Sequence, residues 1–364
     1  MLHHLPGRRR LKVLALPLLG LLGLVGLILV IGCSLSGPRY QGPVSGHFDG
    51  ERFLNQQAIQ HRSLGDVVRW LWQRQPGAWR AWNEAPPGAP PPRRVDAGRL
   101  RVTFVNHATV LLQMDGLNIL TDPIWSERAS PVSWLGPRRV RPPGIRFQDL
   151  PPIDVVIISH NHYDHLDLPT LTRLAAAHHP LFVVGLGNAA LLRDAGIDDE
   201  VRELDWWQAT PLTDTVRLSA TPAQHFTARG LCDRDATLWA GYVVEGPAGA
   251  VYFAGDTGNG PHFAQIRARF APLRLAILPI GAYRPAWFMS RIHLSPGEAV
   301  QAHDTLHAAT SLAMHFGTFE LADDGQDEPL QGLAAALAAH DDPAPRFWAL
   351  DFGQGREVPP LSAR

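Results

Sequence analysis

The sequence predicts a mixed α/β (α+β) domain in which a rigid sheet holds a metal site at one edge. The first observation is the apolar, β-branched run Ile153–Ile158, which is typical of a strand buried on both faces. Four side chains that bind metals follow within seven residues: His160, His162, Asp164 and His165. Burying these polar groups without partners is costly, so a shared cation explains the cluster. The H-x-H-x-D-H order assigns the first two to one metal and the last two to a neighbouring metal.

The second observation is that other potential ligands also follow predicted strands. The pairs of strand and ligand are Val216–Ala220 with His225, Ala250–Ala254 with Asp256, and Ser311–Ala313 with His315. Loops at one edge of a sheet are common places for functional sites, because the sheet fixes their position. One carboxylate that bridges two metals, with histidines completing both sets of ligands, gives a di-metal centre suited to two zinc ions.

The rest of the domain shows the same succession of strands and turns. Further predicted strands are Leu100–Val105, Thr109–Met114, Leu117–Leu120 and Leu181–Val184. Asp115-Gly116 is a hairpin-turn signal. Residues 125–152 are rich in Pro, Arg and Trp without periodicity, which predicts a long loop near the site. Asp167 and Pro169 predict the start of a helix directly after the ligand motif.

The first 33 residues predict a membrane-targeting segment. Basic residues before position 13 precede the uncharged run Val13–Ile31, which is just long enough to cross a bilayer core. The run ends in Val30-Ile31-Gly32-Cys33, which resembles the lipobox of bacterial lipoproteins; a lipidated Cys33 would leave Cys232 without an intrachain partner. We expect residues 1–33 to be either a lipoprotein signal peptide or a retained transmembrane anchor. By the positive-inside rule, both place the body at the extracytoplasmic face of a membrane.

Residues 34–94 predict an N-terminal extension of different character, which ends in the Pro-rich linker Pro86–Pro92. Its tryptophans and arginines are interleaved: Arg69, Trp70, Trp72, Arg74, Trp79, Arg80 and Trp82. The spacing of Leu64, Val67, Val68 and Leu71 predicts an amphipathic helix. Such a helix suits a membrane interface, and packing of its tryptophans on the main domain is an equal alternative.

Composition excludes one class of partner. The formal net charge is −1 and the isoelectric point is about 7.0. Nucleic-acid binding needs a basic field that this chain lacks, so no nucleic-acid partner is expected. The predicted main domain, residues 95–364, is long enough to bury one large core.

Seven segments between about residues 100 and 320 carry a resemblance to a known family. They are NHATVLL, LTDPIWSERASPVSWLGPRR, LPPIDVVIISHNHYDHLD, ELDWW, FAGDTG, PIGAYRPAWFM and MHFGTF. Together they resemble the metallo-β-lactamase superfamily. The long loop, LDWW and the IGAYRPAWFM segment are more specific, and resemble the family of N-acyl-phosphatidylethanolamine-hydrolysing phospholipases D.

The resemblance implies a metallo-β-lactamase αββα sandwich that forms a single catalytic domain, residues 95–364. It also implies two zinc ions, with His160, His162 and His225 on one, Asp164, His165 and His315 on the other, and Asp256 bridging. Asp256 and His293 are the expected catalytic residues, with His293 assisting at the phosphate. Asp122 and His107 are expected to orient ligand side chains. Ser295-Pro296 and Glu298 predict a helix start that favours an anionic substrate group.

The implied activity is hydrolysis of a membrane phospholipid, N-acyl-phosphatidylethanolamine, to N-acylethanolamine and phosphatidic acid. Two metal ions suit a phosphodiester because they activate water and stabilise the developing negative charge. Other di-zinc hydrolases, such as lactonases or β-lactamases, are the nearest alternative. A mono-iron oxidoreductase and a non-catalytic lipoprotein are further alternatives, and a homodimer stays open.

Overall fold

Two seven-stranded sheets face each other in the computed structural model, which describes residues 20, 23–59, 62–340 and 345–361. The first sheet contains, in spatial order, β1 (Leu100–Asn106), β2 (Thr109–Met114), β3 (Leu117–Thr121), β4 (Val155–Ile158), β5 (Leu181–Gly185) and β6 (Val201–Leu204). The first three strands are antiparallel, and β3 to β6 are parallel. Asp115 and Gly116 close the predicted β2–β3 hairpin, both with positive φ, as a tight hairpin turn requires.

The second sheet repeats this arrangement of antiparallel followed by parallel pairs. Its strands are β7 (Ala209–Pro211), β8 (Arg217–Thr221), β9 (Gly241–Glu245), β10 (Ala250–Phe253), β11 (Leu273–Pro279), β12 (Ser311–Met314) and β13 (Phe347–Trp348). Pairing is antiparallel from β7 to β10 and parallel from β10 to β13. The last strand, β14 (Gly355–Glu357), returns to the first sheet beside β1.

Helices cover the sheets and complete the predicted αββα sandwich, which is confirmed. They are α1 (Leu64–Gln73), α2 (Leu168–His178), α3 (Ala189–Asp194), α4 (His262–Phe270), α5 (Ala286–Met289), α6 (Pro296–Leu306) and α7 (Glu328–Ala338). Leu171 of α2 and Leu192 of α3 pack on the first sheet, and Ile266 of α4 and Val300 of α6 belong to the core of the second. The predicted long loop contains the short 3-10 helix Phe147–Asp149 and isolated β-bridges at Arg128–Arg138 and Arg139–Phe319.

Strand β4 is buried on both faces, as its sequence predicts. Val155 and Ile157 lie in the core between the sheets, whereas Val156 and Ile158 pack in the layer that contains α2. This division follows from the alternation of side chains along a strand. Full burial of each such side chain contributes roughly 1.5–3 kcal/mol, so the strand holds the ligand loop that follows in a fixed place.

The N-terminal expectations have different outcomes. The basic segment and most of the apolar run lie outside the described residues; residues 23–34 are helical. Among the described residues, no helix is long and apolar enough to cross a bilayer. Cys33 is bonded to Cys232. A sulfur in a disulfide cannot also carry a lipid, so this bond contradicts the expectation that Cys33 is lipidated and that Cys232 has no intrachain partner.

The extension packs against the main domain instead of lying apart from it. Phe48 and Phe53 are buried in the core between the sheets. In the Pro-rich linker, the Gly88 N–H donates to the carbonyl of Gly144 at 2.7 Å. The division of the chain at residues 34 and 95 stays a prediction from the sequence.

Candidate metal centre

The ligand motif occupies a tight turn that begins where β4 ends. Within it, the N–H groups of His165 and Leu166 both donate to the carbonyl of His162, at 3.1 and 2.8 Å. This single turn of helical hydrogen bonds brings side chains that are close in sequence to one side of the chain. The other candidate ligands stand after the carboxyl ends of β8, β10 and β12, so the second sheet delivers them to the same edge.

His160, His162 and His225 form the first group of metal donors. The His160 Nε2 atom lies 2.8 Å from His162 Nδ1, and His225 Nε2 lies 3.4 Å from the same atom. The three rings are buried or half-buried. On its far side, His225 Nδ1 bonds to the carbonyl of Ile292 at 2.9 Å, which leaves Nε2 free to face the group.

Asp164, His165 and His315 form the second group, together with His107. The Asp164 Oδ2 atom lies 3.3 Å from His165 Nε2 and 3.6 Å from His315 Nε2. His107 Nε2 lies 2.9 Å from the same oxygen. The sequence predicts an orienting role for His107, and its contact with Asp164 suits that role. His107 also belongs to the cluster of possible metal donors formed with Asp164, His165 and His315, so it is a fourth candidate donor on geometry.

Asp256 lies between the two groups, which is the place expected for a bridging carboxylate. Its Oδ2 atom is 3.1 Å from His315 Nε2 and 3.3 Å from His165 Nε2 in the second group. The same oxygen is 3.8 Å from His225 Nε2 in the first group. The structure therefore brings together all seven side chains for which metal binding is predicted.

The donor set fits metal ions by three criteria. A tetrahedral site with metal–nitrogen distances of about 2.0–2.1 Å has donor–donor distances of about 3.3 Å, close to most of those observed. Buried atoms of the predicted ligand side chains lack a hydrogen-bond partner, among them His165 Nε2, His315 Nε2 and Asp256 Oδ1. Buried polar atoms normally have partners, so these three mark places for a cation. Imidazole and carboxylate donors suit a divalent metal such as zinc.

The charges of the site also favour a cation. Burial holds the pKa of His160 and His225 well below the ordinary value and lowers that of His162 to about 4, so all three rings are neutral donors at pH 7. Burial opposes ionisation of Asp164 and Asp256, but the adjacent His165 ring holds both pKa values well below their usual range. In turn, the Asp256 carboxylate raises the pKa of His315 to about 9 against the effect of burial. Positive charge is stabilised at this place, and a bound divalent metal ion would supply it.

Asp122 contacts His165, as expected of a residue that orients a ligand histidine. Its carboxylate accepts three hydrogen bonds, from the Ser159 N–H at 2.7 Å, the Ser159 hydroxyl at 2.6 Å and His165 Nδ1 at 2.6 Å. Asp122 is fully buried. The bond fixes the proton of His165 on Nδ1 and leaves Nε2 as the donor atom.

His293 lies at the rim of both groups. Its Nδ1 atom is 3.7 Å from Asp256 Oδ2 and has no hydrogen-bond partner. Burial lowers the pKa of His293 to about 4, so the ring is neutral at pH 7. After it, Ser295 and Glu298 form the predicted capping box of α6. The Glu298 carboxylate accepts from the Ser295 N–H at 2.8 Å, and the anionic substrate group expected at this helix end stays a prediction.

Two residues that hold the ligands have no signal in the sequence. Asn55 of the extension bonds to both backbone groups of His225: its side chain accepts from the N–H at 3.0 Å and donates to the carbonyl at 2.8 Å. Arg229 donates from Nη1 to the carbonyls of Asn161 and Leu166, at 2.9 and 3.0 Å, and so holds both ends of the ligand turn. Its guanidinium also stacks on Tyr163 at 3.9 Å.

Comparison with known proteins agrees with this fold. The model of the beta-lactamase superfamily domain matches residues 117–316, and the chain belongs to this superfamily. With the clustered His and Asp donors, membership of this superfamily supports a metal-dependent hydrolase. The chain is 42% identical over 274 residues to an uncharacterized protein of Mycobacterium tuberculosis, with 74% of this chain and 73% of that protein covered.

Two similar proteins carry the name of an enzyme. The chain is 36% identical over 266 residues to N-acyl-phosphatidylethanolamine-hydrolyzing phospholipase D 1 of Caenorhabditis elegans, with 70% of this chain and 75% of that protein covered. It is 35% identical over 225 residues to the mitochondrial enzyme of that name from Saccharomyces cerevisiae, with 60% of this chain and 48% of that protein covered.

Solved structures show the shared fold. An isothiocyanate hydrolase from Delia radicum gut bacteria matches with a TM-score of 0.55 and 20% identity, over 70% of this chain and 98% of that chain. CmlA, a diiron β-hydroxylase from Streptomyces venezuelae, matches with a TM-score of 0.53 and 20% identity, over 74% of this chain and 55% of that chain.

Proposed function

We propose that the chain is a zinc-dependent phosphodiesterase of the phospholipase D type. Its substrate is N-acyl-phosphatidylethanolamine, and its products are N-acylethanolamine and phosphatidic acid. The observation that carries the proposal is the pair of donor groups joined by Asp256, with the neutral His293 ring beside them. The two relatives named as phospholipases D of this specificity support the choice of substrate.

The two groups hold two divalent ions, which supply an activated water and positive charge for a phosphodiester. The residues of the chain position these ions and the substrate. Asp256 reaches both donor groups, and Asp122 keeps the Nε2 atom of His165 available. His293, neutral and unpartnered at Nδ1, provides a hydrogen bond for a phosphoryl oxygen or for the leaving oxygen.

We also propose that the enzyme works at the extracytoplasmic face of a membrane. The basic segment followed by the apolar run Val13–Ile31 supports an N-terminal anchor. A diacyl substrate stays in the bilayer, so an anchored enzyme meets it at the membrane surface. The phospholipid is thus both the substrate and the partner surface, and no nucleic acid is involved.

The bond that is cleaved tests the proposal. A water oxygen bonds to phosphorus, the phosphorus–oxygen bond to the N-acylethanolamine breaks, and the leaving oxygen takes a proton. In oxygen-18 water the label should therefore appear in phosphatidic acid and be absent from the N-acylethanolamine. The metal-site variant Asp164→Asn serves as the inactive control, and metal analysis should give two zinc ions per chain.

Other outcomes would assign a different function. Diacylglycerol as the product would place the cleavage on the glycerol side and refute the phospholipase D assignment. Turnover of a lactone or β-lactam, with none of the phosphodiester, would favour the lactonase or β-lactamase alternative. Iron in place of zinc, with oxygen-dependent turnover, would favour the oxidoreductase.

A further inference from the structure

Helix α1 has two apolar sides, and only one of them packs on the protein. On the inner side, the Trp70 ring stacks on Phe288 with centroids 5.0 Å apart and an interplanar angle of 23°. Directly after the helix, Arg74 Nε binds Asp323 Oδ1 at 2.9 Å. These contacts, with the capping box of Ser63 and Asp66 at its start, fix α1 on the surface. Of the two alternatives for this helix, a membrane interface or packing on the main domain, Trp70 shows the packing.

The opposite side of α1 is apolar and open. Four side chains form it, and we call them the outer stripe; their exposed fractions are 83% for Leu64, 62% for Val68, 58% for Leu71 and 88% for Trp72. Their spacing of four, three and one residues places them on neighbouring turns of one face. Single exposed apolar residues are ordinary, but a continuous stripe that ends in a nearly fully exposed tryptophan marks an interaction surface.

Cationic and aromatic groups border the outer stripe. Arg69 lies over the half-exposed Trp287 ring at 4.9 Å, and Arg62 lies over the same ring at 5.9 Å. Arg62 donates to the carbonyls of Trp287 and Phe288, and Arg69 donates to Gln73 Oε1. Positive guanidinium groups beside tryptophans match the interface of a bilayer, where phosphate groups lie above the acyl chains.

The outer stripe belongs to a helix that rests on the rim of the metal centre. Phe288, on which Trp70 stacks, precedes Met289, and the Met289 carbonyl accepts from the His293 N–H at 3.0 Å. The neighbouring Ile292 carbonyl accepts from His225 Nδ1 at 2.9 Å. Phe288, on which α1 packs, therefore belongs to the same segment as the backbone groups that contact His225 and His293.

A second apolar element is attached close to the ligand turn. The Leu231 N–H donates to the carbonyl of Gly32, at the end of the N-terminal apolar run, at 2.9 Å. Leu231 itself is 56% exposed. Two residues earlier in the chain, Arg229 holds the ligand turn. The N-terminal apolar run and α1 are thus both tied to segments that contact the metal donors.

We propose that the outer stripe and Trp287 insert into the interfacial layer of a phospholipid bilayer. This inference rests on the proposed function, because it places the metal centre against the surface that carries the lipid substrate. The bordering arginines and the attached N-terminal run favour a bilayer over a second copy of the chain as the occupant. Docking supplies binding energy outside the metal site. It also holds the metal centre at the membrane surface, so a lipid molecule can reach the centre without passing through water.

Fluorescence quenching in vesicles tests the docking directly. The full-length protein is reconstituted into phosphatidylcholine vesicles whose acyl chains carry bromine, which quenches only tryptophans that reach the acyl region. Trp72→Phe should remove a large share of the quenchable emission. The matched control Trp82→Phe should leave that emission unchanged, because Trp82 is also partly exposed but lies outside α1, where its indole N–H donates to Glu84. Added phosphatidylglycerol should increase the Trp72 quenching through Arg62 and Arg69.

The outcomes separate docking from catalysis. Equal quenching in the wild type and in Trp72→Phe would overturn the proposal, whatever the activity of the enzyme. An unquenched Trp72 together with a dimer in detergent that Leu71→Glu dissociates would assign the stripe to a second copy and also overturn it. Normal Trp72 quenching without hydrolysis of the phosphodiester would instead refute the proposed function and leave the docking surface in place.

Discussion

Replacement of Asp122 by Asn should weaken metal binding without unfolding the protein. The carboxylate is fully buried and accepts three hydrogen bonds of 2.6–2.7 Å, of which one comes from His165 Nδ1. An Asn side chain has one acceptor oxygen, so its NH₂ group must face either the Ser159 N–H or the pair of donors from Ser159 and His165. A lost charge-assisted hydrogen bond costs about 1.5–3 kcal/mol. Since His165 transmits this loss, we expect zinc affinity to fall about 10- to 100-fold.

The measurement is a zinc titration of the metal-free protein against a competing chelator. Asp167→Asn is the matched control, because Asp167 is also buried and accepts from Ser126 and Thr170 but contacts no ligand side chain. The control should keep the affinity of the wild type, and both variants should keep their circular dichroism. Wild-type affinity for both metals in Asp122→Asn would refute the orienting role of Asp122.

Four other predictions follow from the same contacts. Asp164→Asn should lower the zinc content from two per chain toward one and reduce turnover by orders of magnitude, and unchanged stoichiometry by elemental analysis would contradict the two-group assignment. His293→Gln should lower kcat while both metals stay bound, since His293 touches Asp256 from the rim; loss of metal would make it a ligand instead. Burial lowers the folded pKa of His262 to about 3. The contribution of its neutral ring to the free energy of unfolding is therefore fully present above pH 6.5 and is lost as the pH falls. At pH 5 the loss is about 2 kcal/mol, and His262→Gln should lack this part of the pH dependence in denaturant titrations. Cys232→Ser should expose the Cys33 thiol to alkylation and lower the free energy of unfolding by about 2–4 kcal/mol, whereas a lipid mass on wild-type Cys33 would contradict the disulfide.

The strands that carry ligands could be predicted because their signal is local. An apolar, β-branched run that ends in histidine or aspartate specifies both a buried strand and a polar group at its end, as at β4 and His160. The same pattern located β8, β10 and β12 to within a few residues. Strands β7 and β13 are too short to show a period, and they form only because a neighbouring strand offers a free edge.

The contacts that hold the ligands could not be predicted, because they join distant parts of the chain. Asn55 meets His225 across 170 positions, and Arg229 reaches Asn161 across 68. Neither residue type is unusual in its local sequence. The same limit explains why lipidation of Cys33 was expected instead of a disulfide. The lipobox is a local pattern, whereas the bond to Cys232 depends on where the fold brings position 232.

The sequence also left open which way the tryptophans of the extension point, and the reason is geometric. Trp70 and Trp72 are two positions apart, which on an α-helix is a rotation of about 200°, so they must face nearly opposite sides. A membrane interface and a packed helix are therefore not exclusive alternatives at this place. Trp70 attaches the helix to Phe288, and only a helix attached in this way holds Trp72 outward at a fixed distance from the metal centre. The packing contact is what gives the exposed stripe a defined position relative to the chemistry.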